Sequence, residues 1–486
     1  MPSYSSLCIY WRWPGPTIVQ RLQMILVLMS CFLFHLSIGS IYTYGNLLPY
    51  LVSYARNHTN QAELKNTQGT YIFSIQVFGL AVGMLAGGVL EKKFGPRLVS
   101  LSGGWLMSAG VALSYFAVKK NFWYLTMTYG IMFGLGTGIS YIGPIACAIR
   151  WCPRWKGAAT GFVVSGYGIS SLIFTTVQTA YVNPHNVEPI GPVCDMEQDT
   201  PESCDNEKYF EDAKMMSRIP TLFLLLAGVY ASLQLISSIF LVNPPPPLAD
   251  EEKRPILIHE DSPSPRVYSP STSMSRSALI NKKLDTLTVV NVTPLQLFRK
   301  PSFYLIWFMF ACIGIGTSFI TTLYKSFGLE KVTDDDWLLS IAGAVSSVFN
   351  LSGRFFWGAL ADFTSYRTAL VFHGALATFI YFTFYATGAA GIVMFFFWLF
   401  GIYFCIGGSY SLYPSLVAQL YGTENISINY SFVYSSQIVG SLLASFLSHL
   451  LVDYIDWYGV FFIVGGLSLV EYILAILYNN KRYIRN

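Results

Sequence analysis

An arginine placed inside an apolar helix is the residue of this chain best suited to chemistry. Arg354 stands in the apolar run 337–360, about one helical turn before Gly358. A guanidinium in hydrocarbon costs roughly 2.5–3.5 kcal/mol on insertion scales, so the side chain is expected to face protein or a wet cavity. Its planar, permanently charged fork matches a carboxylate with two parallel hydrogen bonds. An arginine can equally snorkel to the surface or brace a loop, so the position of the guanidinium decides between binding and structure. Tyr42, Tyr44 and Asn46 fall where the first apolar run could line the same cavity. Their hydroxyls and amide could hydrogen-bond an anion or its carbon skeleton, although aromatics at such spacing also serve packing. The sequence contains no paired metal ligands, nucleophile motif or phosphate loop. The expected chemistry is therefore recognition of a small organic anion rather than catalysis, with no metal and no cofactor.

Composition sets the medium in which that arginine works. Of 486 residues, 53% are hydrophobic and only 12% charged, with 36 Phe, 32 Tyr and 11 Trp, whereas average soluble proteins carry about 25% charged residues. A chain of this kind would not stay in solution as a monomeric globule. That excludes an ordinary soluble enzyme and a disordered protein. The net charge of +4 is too small and too scattered for a nucleic-acid surface. Eight cysteines are too few for a disulfide scaffold, and Cys31, Cys147, Cys312 and Cys405 lie in apolar runs, where cysteine acts as a small hydrophobe. Pro14 and Pro16 interrupt the N-terminal segment, and the first long apolar run, from Leu22, exceeds signal-peptide length, so it reads as a retained span.

Apolar runs occur at about 22–52, 70–90, 98–118, 122–149, 157–181, 219–243, 301–324, 337–360, 368–388, 391–415, 427–452 and 458–479. Helices are the economical conformation for such runs in a bilayer, which predicts an all-α membrane protein with twelve transmembrane helices in two six-helix bundles. The expected organisation is a cytoplasmic N-terminal tail at 1–21, a first bundle at 22–243, a disordered cytoplasmic linker at 244–300, a second bundle at 301–479 and a cytoplasmic tail at 480–486. The linker opens on four prolines from Pro244 and continues rich in Ser and Thr, a composition that cannot bury a core. Arg12, Arg21, Lys93, Arg97, Arg150, Arg154, Lys481 and Arg482 fall on one side of a twelve-span chain, predicted to be cytoplasmic, with Lys119 and Lys120 as exceptions. On the other side lie a sequon at Asn57 and an acidic loop in which Cys194 and Cys204 are placed to form a disulfide in an oxidising compartment. These features favour the plasma membrane, with endosomal or lysosomal membrane as the alternative. No dimerisation motif is evident, so a monomer is expected, with any accessory membrane protein unspecified.

The two bundles echo each other. Gly88, Lys92, Gly95 and Arg97 follow the second run, and Gly358, Asp362, Ser365 and Arg367 follow the eighth, with glycine at the start and arginine nine residues on. Residues 129–138 are echoed by 400–408 at nearly the same offset of about 270 residues. Glycine at a helix end lets helices approach closely, while an acid and an arginine beyond it can brace helix ends and bias a conformational balance.

These two loops resemble the signature loop of the major facilitator superfamily. The stretches Gly39–Asn46, Trp151–Gly161, Pro301–Trp307 and Asn350–Gly358 narrow the resemblance to the oxalate/formate antiporter family and, more distantly, to the monocarboxylate transporters. The resemblance implies transport by alternating access and a carboxylate-binding role for Arg354. Departures matter. Lys92 stands where the family's signature loop carries an acid, with Glu91 one residue early. Asn46 stands where monocarboxylate transporters place a lysine, Asn350 where they place a proton-accepting acid, and Gln437 where oxalate carriers place a second cation. One arginine without a second cation suits a monocarboxylate or a zwitterion better than a dianion. A neutral substrate, or a transporter-like receptor that senses a solute without moving it, are the alternatives. Glu471 is the main intramembrane acid, and His35 in the first run reads as a packing residue. No proton relay is visible, so exchange or facilitated diffusion fits at least as well as symport.

Overall fold

Twelve membrane-crossing helices account for the apolar runs, and their ends fall where capping chemistry stops them. The computed structural model describes residues 18–59, 61–152, 156–190, 208–244, 291–422 and 425–478. Span one runs as a helix over Ile18–Ile38, tightens to a 3-10 turn over Gly39–Thr43 and resumes over Tyr44–His58. Spans two and three are Tyr71–Phe94 and Pro96–Ala117, hinged at Gly95, whose φ of 81° is open to glycine, with Pro96 starting the next helix. Span four carries a π-helical stretch at Thr126–Met132 before Phe133–Trp151. Spans five and six are Lys156–Val182 and Ala213–Phe240.

In the second half, spans seven and eight are Pro301–Lys331 and Asp336–Phe363. Span nine is Tyr366–Thr383 and span ten Ile392–Tyr421. Span eleven begins as Ile426–Tyr434 and continues into the helix Ser436–Leu477, which breaks at Asp456 (φ 57°) and so contains span twelve as well. There the Asp456 carboxylate accepts from the Trp457 amide at 2.7 Å and lies 3.3 Å from Lys331 Nζ, which starts span twelve as a capped helix. Span seven extends one and a half turns past the expected end at 324, because Lys325 is buried rather than solvated. Of the expected linker, residues 245–290 lie outside the described residues. Its last stretch corrects the expectation of disorder: Pro294–Leu297 is a helical turn with a Thr293–Gln296 capping box.

The halves pack alike. Span two lies on span four as eight lies on ten, three on six as nine on twelve, and one on five as seven on eleven. Large apolar side chains such as Phe116, Phe372 and Phe397 point outward, while serines and threonines are buried with their hydroxyls bonded to carbonyls one turn back. Close approach depends on glycine. A Cβ at Gly138 would lie 2.1 Å from the Leu80 carbonyl oxygen, and one at Gly407 only 2.0 Å from that of Asn350.

Gly407 thus seats span ten on the turn of span eight that begins Asn350–Arg354. Gly407→Val should cost about 1–3 kcal/mol through overpacking and lower the thermal unfolding midpoint in detergent. Gly466→Val, where a Cβ would meet nothing within 4 Å, should leave the midpoint in place.

Candidate functional site

Arg354 is 3% exposed, with its guanidinium inside the protein and not at a membrane surface. Nε donates to Asn350 Oδ1, one turn earlier on span eight, at 3.0 Å. Nη1 and Nη2, the two nitrogens that would face a carboxylate, have no hydrogen-bond partner, and neither has Asn350 Nδ2. Among the described residues no carboxylate pairs with this cation. A buried charge without a counter-charge is destabilising by several kcal/mol, and the fork is shaped for an anion that supplies two acceptors. Gly168 of span five lies directly across: a Cβ there would fall 2.8 Å from Asn350 Oδ1 and 2.9 Å from Arg354 Nε. The glycine thus lets the first half approach the arginine without displacing it.

Tyrosines from both halves surround this layer. The guanidinium carbon lies 5.7 Å from the Tyr410 ring centre, within cation–π range. Tyr42 packs against Tyr410 at 6.3 Å and edge-on to Tyr167 at 5.4 Å. Tyr141 and Tyr434 extend the cluster on either side. Gln437 joins it indirectly. Its Oε1 accepts from the Tyr410 hydroxyl at 3.4 Å, and its Nε2 donates to the Phe310 carbonyl at 2.6 Å.

Two expected members of the site lie elsewhere. Tyr44 is a packing residue: its hydroxyl donates to the Gly69 carbonyl at 2.5 Å, and its ring sits against Phe73 and Tyr129. Asn46, one turn beyond Tyr42, belongs to a second buried polar cluster at the face opposite the chain ends. At its centre is Lys325, 0% exposed, whose Nζ is 2.7 Å from Asp336 Oδ1. The ammonium donates to Asn46 Oδ1 at 2.8 Å, Tyr50 OH at 2.9 Å and Ser340 Oγ at 2.9 Å. Asp336 Oδ2 accepts from the Tyr50 hydroxyl at 2.5 Å and from Asn183 Nδ2 at 2.9 Å. Asp336 also opens span eight, where the helix dipole favours an anion. Thr179 of span five donates to Ser340 at 3.0 Å, and the Trp337 indole to the Asn183 carbonyl at 2.7 Å. The pair belongs to the second half, and most of its ligands to the first, so this network holds the two halves shut on that face.

Reading the apolar runs missed Lys325 and Asp336, because each sits at a run's edge and looks like loop. The available signal was a lysine and an acid bracketing one short connection. The inference from a lone cation also needs correction: a second buried cation exists, but Asp336 neutralises it.

At the opposite face the two signature arginines act alike. Arg97 donates to the Ile239 carbonyl at the end of span six, and Arg367 to the Ile476 carbonyl at the end of span twelve. Each caps the last helix of its own half. Gly88 and Gly358 lie in the last turns before these loops. Glu91, which is buried, receives the Arg150 fork at 2.6 and 3.1 Å, tying span two to span four. The side chains of Lys92 and Asp362, and the whole Cys194–Cys204 loop, lie outside the described residues. Asn57 Nδ2, the nitrogen a glycan would use, donates to the Phe210 carbonyl at 2.9 Å.

Gly168→Ala should push the guanidinium aside and weaken binding of a carboxylate probe such as formate about tenfold, roughly 1.4 kcal/mol, read by thermal-shift titration with the ligand-free midpoint unchanged. Asp336→Asn should strand the Lys325 ammonium and destabilise the protein by about 3–5 kcal/mol. Adding Lys325→Met should recover a large part of that loss, measured as a double-mutant cycle on unfolding in detergent.

The sequence matches the Major Facilitator Superfamily over residues 30–427 and again over 338–485. It is 25% identical to apicoplast pyruvate carrier 1 of Toxoplasma gondii over 507 aligned residues, covering 93% of this chain and 86% of that protein. It is 23% identical to the oxalate:formate antiporter of Oxalobacter formigenes, covering 80% of this chain and 77% of the antiporter. A shorter match, 32% identical over 105 residues and 22% of this chain, is to monocarboxylate transporter 13 of Bos taurus. With a family match across nearly its whole length and the paired six-helix bundles that go with it, the chain belongs to the Major Facilitator Superfamily of membrane transporters.

Proposed function

We propose that this protein carries a small monocarboxylate across a membrane by alternating access, with Arg354 as the residue that grips the carboxylate. The observation that carries the proposal is the buried fork whose two terminal nitrogens have no partner, in a protein whose other buried cation is neutralised by an aspartate. A monoanion balances Arg354 one to one. A dianion would leave its second carboxylate among tyrosine hydroxyls, Asn350 and Gln437, none of which is charged. The relatives support the class: one is named a pyruvate carrier, one an oxalate:formate antiporter and one a monocarboxylate transporter.

In this reading the Lys325 network is the closed gate on one face, and rocking of the halves breaks it. The tyrosines contributed by both halves change their spacing in the same motion, so the anion is exposed first to one side and then to the other. The excess of basic residues on the face of the chain ends supports cytoplasmic termini, and a surface membrane agrees with the sequon and acidic loop.

Counterflow of labelled pyruvate and of labelled formate into proteoliposomes tests the proposal, with oxalate as the dianion control. Arg354→Gln removes a charge-assisted pair at about 1.5–3 kcal/mol, so apparent affinity should fall roughly 10- to 150-fold. Arg354→Lys should retain part of the activity. Unchanged monocarboxylate counterflow in Arg354→Gln would sink the assignment.

A further inference from the structure

The acid that the carboxylate site leaves unused lies in span twelve. Glu471 is fully buried, and neither of its carboxyl oxygens has a hydrogen-bond partner. Gly374 of span nine makes room for it, since a Cβ there would lie 2.5 Å from Oε2. Cys312 of span seven and Cys405 and Tyr413 of span ten are within electrostatic reach of the carboxyl. Among the described residues no lysine, arginine or histidine forms an ion pair with it. An ionised carboxylate cannot be held in such a place without donors, so in this conformation the group is a neutral acid.

A route for the proton lies beside it. His373 precedes Gly374, and its Nε2 is 2.9 Å from the Cys405 carbonyl oxygen and 3.1 Å from the Ser409 hydroxyl. A carbonyl only accepts, so Nε2 bears the hydrogen, and in the neutral ring Nδ1 is a bare acceptor; it has no partner. A water-sized internal cavity is lined by Cys312, Thr317, His373, Cys405, Ser409 and Ser468. Ser468 is one turn before Glu471 on the same helix, and Cys312 and Cys405 border both the cavity and the acid. A buried water bridges polar groups of this kind. The cavity is also linked to the carboxylate site. The Trp357 ring packs edge-on to His373 at 5.3 Å, and Trp357 follows Arg354 by one turn on span eight.

We propose that Glu471 is a proton-binding site of the transport cycle, served by His373 and the adjoining cavity, so that one proton travels with each monocarboxylate. The proposal rests on the carboxylate reading above and adds the co-substrate. The balance is simple: the Glu471 carboxylate takes a proton from hydronium, releasing water, and returns it to water on the other side. No other bond changes, and the paired movement of one anion and one proton carries no net charge. Movement of span eight as Arg354 is occupied or vacated reaches His373 through Trp357 and couples the two sites.

Proteoliposomes holding trapped pyranine, with protein-free vesicles as the blank for passive entry of pyruvic acid, test this. Downhill entry of pyruvate through the wild-type protein should acidify the lumen by about one proton per pyruvate, and an imposed inward proton gradient should drive accumulation. Glu471→Gln, isosteric with the neutral acid, should keep pyruvate exchange within about twofold while cutting proton-driven accumulation at least tenfold. Wild-type exchange without proton movement overturns the proposal and leaves the carboxylate reading standing. So does a Gln variant whose proton-to-pyruvate ratio is unchanged, and the wild-type ratio is decisive even if that variant does not fold. Absence of counterflow for every monocarboxylate tested removes both.

Discussion

The structure depends on how it treats a positive charge inside hydrocarbon. Arg354 is held by one internal hydrogen bond, Nε to Asn350, which fixes the plane of the fork while leaving its terminal nitrogens unpaired. Everything around it is arranged to tolerate that. Gly168 and Gly407 bring spans five and ten against the same turn of span eight without filling the space the guanidinium needs. Tyr410 offers the face of a ring, which attracts a cation without neutralising it. A buried carboxylate would stabilise the resting protein more, but it would compete with any anion arriving from outside.

Lys325 shows the opposite treatment. Its ammonium has a carboxylate at 2.7 Å and three oxygen acceptors, and every group in the cluster reaches across to another helix. Two charges thus share one membrane protein with different roles. One pair is complete and closes a face; the other cation is left incomplete within a layer built from both halves. Because the Lys325–Asp336 pair lies within the second half, opening that face separates it from Asn46, Tyr50 and Asn183 but not from itself. The desolvation penalty of a lone charge is thereby avoided throughout the motion, and only neutral partners need be exchanged for water.

Spans, topology and repeat could be read from apolar runs and glycine spacing because hydrocarbon imposes one solution on each run. Arg354 and Asn350 could be found for the same reason: a charge in mid-run stands out. The tyrosines could not be sorted, since Tyr42 and Tyr44 differ by 200° around a helix of 3.6 residues per turn, or about 100° per residue, and the 3-10 turn between them shifts the register further. One faces the site and the other a neighbouring helix. Asn46 was misplaced because the same helix face serves both levels, and one turn separates the arginine layer from the gate. Lys325 and Asp336 were missed because run-edge charges are normally solvated; their burial arises only when the other half docks on them.

The repeat itself explains why the site is asymmetric. At 270 residues before Gly353 and Gly358 the first half also has glycine, at Gly83 and Gly88, and these serve or flank helix contacts in each half. At the same offset before Asn350 and Arg354 stand Leu80 and Met84, both buried. The scaffold positions were kept as glycine in both copies, while the binding pair exists in one. A second arginine at position 84 would face the same interface as the first and repel it across a low-dielectric gap. An apolar partner there leaves the whole attraction for the substrate to a single cation. A carrier of a singly charged acid needs no more than that, because the ligand must bind well enough to enter and still be released when the halves rock.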